Sequence, residues 1–242
     1  VYALGEDGRD LGRFNLAGAT LTDWEDISFG PGPVPGTDYI YVADTGNNNV
    51  TRTSVRVYRF EEPMVTWEVA PGDETVLSIE TFTLTYPGAP FDCEAFLVQP
   101  FTGEFYLFKK DTRQEDGGYC RVYRTNGAPV PGSAISLVHA LDIWLGTGLD
   151  NFVTAADIAV DAPGVLLRTY GYAYYWDWPA GTGLESALGG PPCLLPVASE
   201  VQGESIAFAP DWQGFHTTSE WYRDAPQPIY FHPRVPEEAE GD

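Results

Sequence analysis

A short phrase recurs four times along this chain, each time opening a stretch with strand character. It reads Asp23-Trp24-Glu25-Asp26-Ile27-Ser28-Phe29, then Asp92-Cys93-Glu94-Ala95-Phe96-Leu97-Val98. It returns as Ala155-Ala156-Asp157-Ile158-Ala159-Val160 and as Gln202-Gly203-Glu204-Ser205-Ile206-Ala207-Phe208. Each copy is followed by a second apolar stretch: Tyr39 to Ala43, Glu104 to Phe108, Val165 to Thr169 and Phe215 to Ser219. An internal repeat of one supersecondary unit is the sequence sign of an array, because one unit cannot bury its apolar face alone. With aromatic-rich short strands and tight turns, the array expected is an all-β propeller.

The repeat divides the chain into blades. Blade one takes Glu25 to Phe29, Tyr39 to Ala43, Val55 to Phe60 and Leu77 to Leu84. The third of these alternates apolar with basic residues, as a half-exposed strand does. Blade two takes Glu94 to Val98, Glu104 to Phe108, Cys120 to Arg124 and Ala134 to Leu141. Blade three takes Asp157 to Val160, Val165 to Thr169, Ala173 to Trp178 and Leu194 to Val197. Blade four takes Glu204 to Phe208, Phe215 to Ser219 and Ile229 to His232. Val1 to Leu4 and Arg13 to Ala17 read as outer strands without inner ones. The count is therefore four blades closed by N-terminal strands, or five with an incomplete first blade, since propellers avoid open edges. Ile27, Phe96, Ile158 and Ile206 hold one position of each copy and are expected to be buried. Leu184 to Leu188 reads as one helical turn. No linker splits residues 1–236, and 237–242 form an acidic tail.

The 26 glycines and 20 prolines suit many short strands joined by turns. No apolar run approaches the ~20 residues of a membrane span. The net charge of −22, from 35 acidic and 13 basic residues, repels phosphate backbones and argues against nucleic-acid binding. Salt adaptation or a soluble extracellular setting both suit such a surface. The chain opens directly on strand pattern with no initiator methionine, which reads as a processed or truncated start. Cys93, Cys120 and Cys193 lack zinc spacing. Cys93 and Cys120 fall two strands apart in one blade, about 9–10 Å, too far for a relaxed disulfide. Asn49-Val50-Thr51 is a glycosylation sequon.

The runs Asp23-Trp24-Glu25-Asp26-Ile27, Tyr39-Ile40-Tyr41-Val42-Ala43-Asp44-Thr45-Gly46-Asn47-Asn48 and Val57-Tyr58-Arg59-Phe60 resemble a family of largely uncharacterised secreted propellers. Its second stretch commonly reads Gly-Asp-Ile-Gly-Asp-Asn. Arg168-Thr169-Tyr170, Trp176-Asp177-Trp178-Pro179 and Gln202-Gly203-Glu204-Ser205-Ile206-Ala207-Phe208 are similar to it as well. The resemblance implies a propeller and a secreted protein, and brings no activity. More distantly the chain is similar in architecture to calcium-dependent phytase-like and lactonase-like propellers; architecture does not carry function.

First strands of propeller blades line the channel, so Glu25, Asp26, Glu94, Asp157 and Glu204 are expected to converge on one rim, with Asp23 and Asp92 nearby. Packed carboxylates repel unless a proton or cation intervenes. Hard oxygen donors point to Ca²⁺. The alternative is that these acids are solvated at blade tips or cap turns. Asp44, Asn47 and Asn48 add oxygen donors beside the rim, or simply form a tight turn. Lys109 and Arg168, at comparable depth, either grip an anionic ligand or form internal ion pairs. Trp24, Trp176 and Trp178 read as core wedges. No nucleophile elbow, metalloprotease helix or phosphate loop occurs. The leading expectation is a secreted binding or scaffold module with a divalent cation in its channel, meeting an extracellular protein or glycan. The alternatives are a metal-dependent phosphoester or lactone hydrolase, and an assembly subunit joined through edge strands.

Overall fold

The computed structural model describes residues 1–5, 7–65, 72–76, 78–159, 164–220 and 227–235. The acidic tail, Leu77 and Val160 lie outside the described residues. In chain order the strands are β1 (Tyr2–Leu4), β2 (Asp10–Leu16), β3 (Asp26–Pro31), β4 (Asp38–Asp44), β5 (Ser54–Glu61), β6 (Asp73–Val76) and β7 (Glu80–Thr85). Next come β8 (Cys93–Val98), β9 (Phe105–Lys109), β10 (Tyr119–Arg124), β11 (Ala134–Ser136) and β12 (Val138–Trp144). The last are β13 (Val153–Ala159), β14 (Gly164–Thr169), β15 (Ala173–Asp177), β16 (Cys193–Leu195), β17 (Gly203–Phe208), β18 (Gly214–Ser219) and β19 (Ile229–Pro233). A single helical turn, α1 (Leu184–Leu188), lies between β15 and β16.

These strands form five small sheets in a ring, a five-bladed β-propeller. The sheet orders are β1-β2-β6, β11-β7-β5-β4-β3, β12-β10-β9-β8, β13-β14-β15-β16 and β17-β18-β19. The four repeats supply blades one to four, and β3, β8, β13 and β17 are the inner strands. Each inner strand packs on the next, β3 on β8, β8 on β13 and β13 on β17.

The core lies between blades, so strand alternation feeds two interfaces at once. In β8, Phe96 and Val98 face blade one, where Tyr41, Val57 and Phe82 meet them. Ala95 and Leu97 face blade three and pack toward Val165, Leu167 and Trp176. Every residue of β8 is therefore buried. Trp176 and Trp178 are core wedges as expected, and their indole N–H groups donate to the carbonyls of Gly190 and Thr182. Phe96 and Ile206 are buried and Ile158 is partly buried, whereas Ile27 is exposed. Among the described residues no inner strand packs on that side of blade one, so the apolar identity that buries its counterparts does not bury Ile27.

Two pairings depart from the blade-by-blade reading. Ala134 to Leu141 is not one strand; it splits at Leu137, and β11 crosses to blade one to lie parallel on β7. In the same way β6 leaves blade one and lies parallel on β2. The N-terminal strands thus form a sheet with β6 and do not join blade four. All three cysteines are free thiols, with Cys93 and Cys120 buried and Cys193 exposed.

Candidate functional site

Inner strands belong to different sheets and share no ladder, so side chains stitch their backbones. Asp26 does most of this. Its Oδ2 accepts from Phe96 N at 2.8 Å and Ala156 N at 3.1 Å, and its Oδ1 from Ile27 N at 2.9 Å. One carboxylate therefore ties three blades. Burial raises its pKa well above the usual range, against the pull of those three N–H donors. Ser28 Oγ accepts from Val98 N at 3.1 Å, and Asp157 Oδ2 accepts from Phe208 N at 2.8 Å. Burial lifts Asp157 to about 6. The sequence grouped Asp26 and Asp157 with the rim acids; their oxygens are spent on neighbouring inner strands.

The rim is set by bulges. The β8–β9 register slips between Cys93 and Ala95, and the β17–β18 register slips between Gly203 and Ser205. The extra residues are Glu94 and Glu204, which a bulge turns out of the ladder. In β13 the slip falls between Val153 and Ala155, so Thr154, not Asp157, holds this position. Thr154 Oγ1 donates to the Gly203 carbonyl at 2.7 Å. Blade one contributes Glu25, whose N–H donates to Ala43 O just ahead of β3.

Glu94 does not stand alone. Its carboxyl contacts the Lys110 ammonium, both side chains are buried, and Lys110 Nζ donates to Tyr170 Oη at 2.7 Å. Burial raises Glu94, with Lys110 opposing. Burial works against the Lys110 charge, but Glu94 and Tyr170 outweigh it and hold the ammonium above the usual lysine range. The ion pair is the state that satisfies both groups. Glu204 lies within hydrogen-bond reach of Tyr170 and Glu94, and burial raises it to about 7.

Glu25 is different. Burial, then Glu94, Asp23, Asp92 and Glu204, push its carboxyl to about 9. No hydrogen bond or ion pair reaches it among the described residues. The loop Asp44-Thr45-Gly46-Asn47 passes directly over it: a Cβ on Gly46 would lie 2.1 Å from Glu25 Oε1 and 2.5 Å from Asp23 Oδ2. Any side chain at position 46 would have to push these two carboxylates aside.

The pH consequence follows by sign. Between an ordinary glutamate value of about 4.3 and the folded value of about 9, the native state holds a proton that the unfolded chain releases. Stability from this group is therefore lost as pH rises through that window. In chelator, Glu25→Gln is expected to melt about 5 °C above the parent at pH 8–9 and level with it near pH 4–5. Parallel melting curves at both ends would remove Glu25 as the protonated group.

Most of the other residues singled out by sequence make internal contacts. Asn47 is a buried hub: its N–H donates to Asp92 Oδ1 at 2.7 Å, its Oδ1 accepts from Thr51 N and Arg52 N, and its Nδ2 reaches the carbonyls of Arg52 and Phe91. Asp44 Oδ1 accepts from Asp23 N at 2.9 Å and pairs with Arg52 at 3.1 Å. Asn48 is exposed and its Nδ2 lies 3.5 Å from Asp23 Oδ2. Asn49, in the sequon, is exposed. Lys109 pairs with Asp116 and, at 3.6 Å, with Asp111. Arg168 is fully buried and pairs with Glu200 at 2.6 Å. Lys109 and Arg168 thus follow the ion-pair alternative. Lys110, the residue that organises the rim, was missed by sequence; its one signal was that the chain's only two lysines are adjacent.

Among the described residues, two buried oxygens beside the rim, Asp44 Oδ2 and Asp92 Oδ2, have no hydrogen-bond partner, and neither has Thr45 Oγ1. Among the described residues, no three His, Cys, Asp or Glu groups converge on a common point for a metal ion. Compared with known proteins, the sequence matches no protein family and no curated protein.

Proposed function

We infer that this chain is a propeller binding module that takes a cation, calcium first among them, at the carboxylate end of its channel. The observation that carries this reading is Glu25, a half-buried carboxyl among four other acids with no cationic partner of its own. Lys110 pairs with Glu94 and also eases Glu204 and Asp92, whereas no cation among the described residues acts on Glu25. Glu25, Asp23, Glu204 and the orphaned Asp92 Oδ2 are hard oxygen donors of the kind Ca²⁺ accepts in loose geometry. A cation bound at this rim would displace the Glu25 proton. The same proposal makes the chain a secreted protein of the propeller family its motifs resemble, with an extracellular protein or glycan as partner. An acidic surface and the exposed Asn49 sequon support that setting.

Calcium in millimolar excess is expected to raise the melting temperature by about 5 °C over chelator, since a ligand at 100 times its Kd stabilises by about 2.7 kcal/mol. Glu25→Gln and Glu204→Gln should each shrink the calcium-dependent increment. Identical melting with and without calcium at pH 7.5 would sink the cation reading.

A further inference from the structure

The outer half of blade two carries a face that the repeat does not call for. β10 and β12 pair with Tyr119 opposite Trp144, Arg121 opposite Asp142 and, past a bulge, Tyr123 opposite His139. Alternation sends these side chains to one side of the pair. Cys120 and Ile143, between the first two rungs, turn the other way into the core shared with blade three. Blade one shows what the fold asks here. Val55 and Leu84 fill the place of Cys120 and Ile143, and the rung beyond them is Ser54 opposite Thr85. The rung on their other side is Arg56 opposite Thr83. Polar side chains therefore satisfy a blade at this position, and the aromatic rings of blade two are not demanded by its packing.

Those rings face solvent: Trp144 is 64% exposed and Tyr119 46%. Directly opposed residues hold their Cβ atoms about 5 Å apart, so the two rings make one platform. The next rung lies about 7 Å further along and sets opposite charges against each other. Arg121 pairs with Asp116 at 2.7 Å and lies within hydrogen-bond reach of the Tyr123 hydroxyl. His139 Nε2 and Asp142 Oδ1 are 2.9 Å apart. Arg121, Asp142 and His139 are each nearly half exposed. The Tyr119 end of the platform opens on a cleft lined by Gln114, Thr147 and Asn151.

We propose that this face of blade two binds a neutral oligosaccharide, one pyranose ring stacking on the Tyr119–Trp144 platform while hydroxyls bond to Arg121, Asp142 and His139. A pyranose has an apolar C–H face and a polar edge, and this surface sets an aromatic platform beside a row of donors and acceptors. A neutral ligand escapes the repulsion that a net charge of −22 exerts on acidic polymers. A protein partner fits the face less well, since a stable interface takes about 800 Å² and 20–30 residues from each side, and only a handful of side chains stand here. The proposal narrows the partner in the reading above to a glycan; it rests on that reading for an extracellular setting and not for the cation.

The test titrates cellohexaose, mannohexaose, xylohexaose and chitohexaose into the full chain in chelator, read by calorimetry and tryptophan fluorescence. At least one sugar is expected to bind and to shift the emission. Trp144→Ala should weaken that binding about tenfold, Trp144→Phe should keep most of it, and Arg121→Gln should weaken it while the emission shift persists at saturation. The altered side chains are half exposed, so each variant should melt with the parent. Binding that survives in Trp144→Ala with Tyr119→Ala overturns the site, and failure of all four sugars overturns the proposal. Concentration-dependent self-association that Trp144→Ala abolishes would overturn it in favour of a protein partner. Calcium is absent throughout, so no failure here touches the cation reading, which the calcium-dependent melting shift decides without sugar.

Discussion

Asp26→Ala is expected to lower the melting temperature by about 10 °C. The substitution strips acceptors from Phe96 N and Ala156 N, which lie on two other blades. A buried N–H left unpaired costs about 1–3 kcal/mol, so the pair costs about 4 kcal/mol. In a protein of this size each kcal/mol moves the transition by roughly 2–4 °C. Asp26→Asn keeps one acceptor oxygen and matches the protonated acid that burial favours, so it should recover most of the loss. Thermal unfolding followed by circular dichroism distinguishes the two. An alanine variant that melts within about 2 °C of the parent would show that the inner strands do not depend on this carboxylate.

The second large effect belongs to Lys110 and Glu94. Glu94→Gln leaves an ammonium buried beside Tyr170 without its counter-charge; Lys110→Met leaves a carboxylate among other acids. Breaking one partner of a buried ion pair costs about 3–5 kcal/mol, because the other charge stays desolvated. The double variant Glu94→Gln, Lys110→Met removes both charges and should lie within about 1–2 kcal/mol of the parent. A double-mutant cycle in denaturant reads this directly. Additive losses would mean that the two groups do not act as a pair. The cycle also bears on the rim: with Lys110 gone, Glu94 becomes available to a cation, so Lys110→Met should strengthen any calcium-dependent shift.

Local pattern made much of the fold legible. β5 alternates, β8 is apolar on both faces, and the tryptophans of blade three are large and clustered, so each announces a strand between two packed neighbours. The repeat located the inner strands and, at Glu25, Glu94 and Glu204, the residues of the rim. It misplaced the third copy. Asp157 resembles the other acids in sequence, but a bulge at Thr154 shifts the register, and bulges have no composition of their own. Asp26 was legible as an acid at the axis and not as a stitch, since a carboxylate that binds a metal and one that accepts three N–H groups are spelled the same way. β6 and β11 were illegible for a different reason. They are short and polar or exposed, and they pair with strands some fifty or sixty positions away, as in Arg13↔Asp73.

The sequence by itself determined that this chain is a ring of repeated sheets with an acidic end to its channel. Periodicity and residue type are properties of each segment and need no partner to be read. The tertiary structure decided which acids share the rim, which of them Lys110 neutralises, and which apolar face stays open. Glu25 is lifted to about 9 by its burial and then by the four carboxyls beside it, and Ile27 is exposed where no inner strand among the described residues covers it. Charge and burial are pairwise quantities, fixed by distances between residues that the chain order keeps far apart.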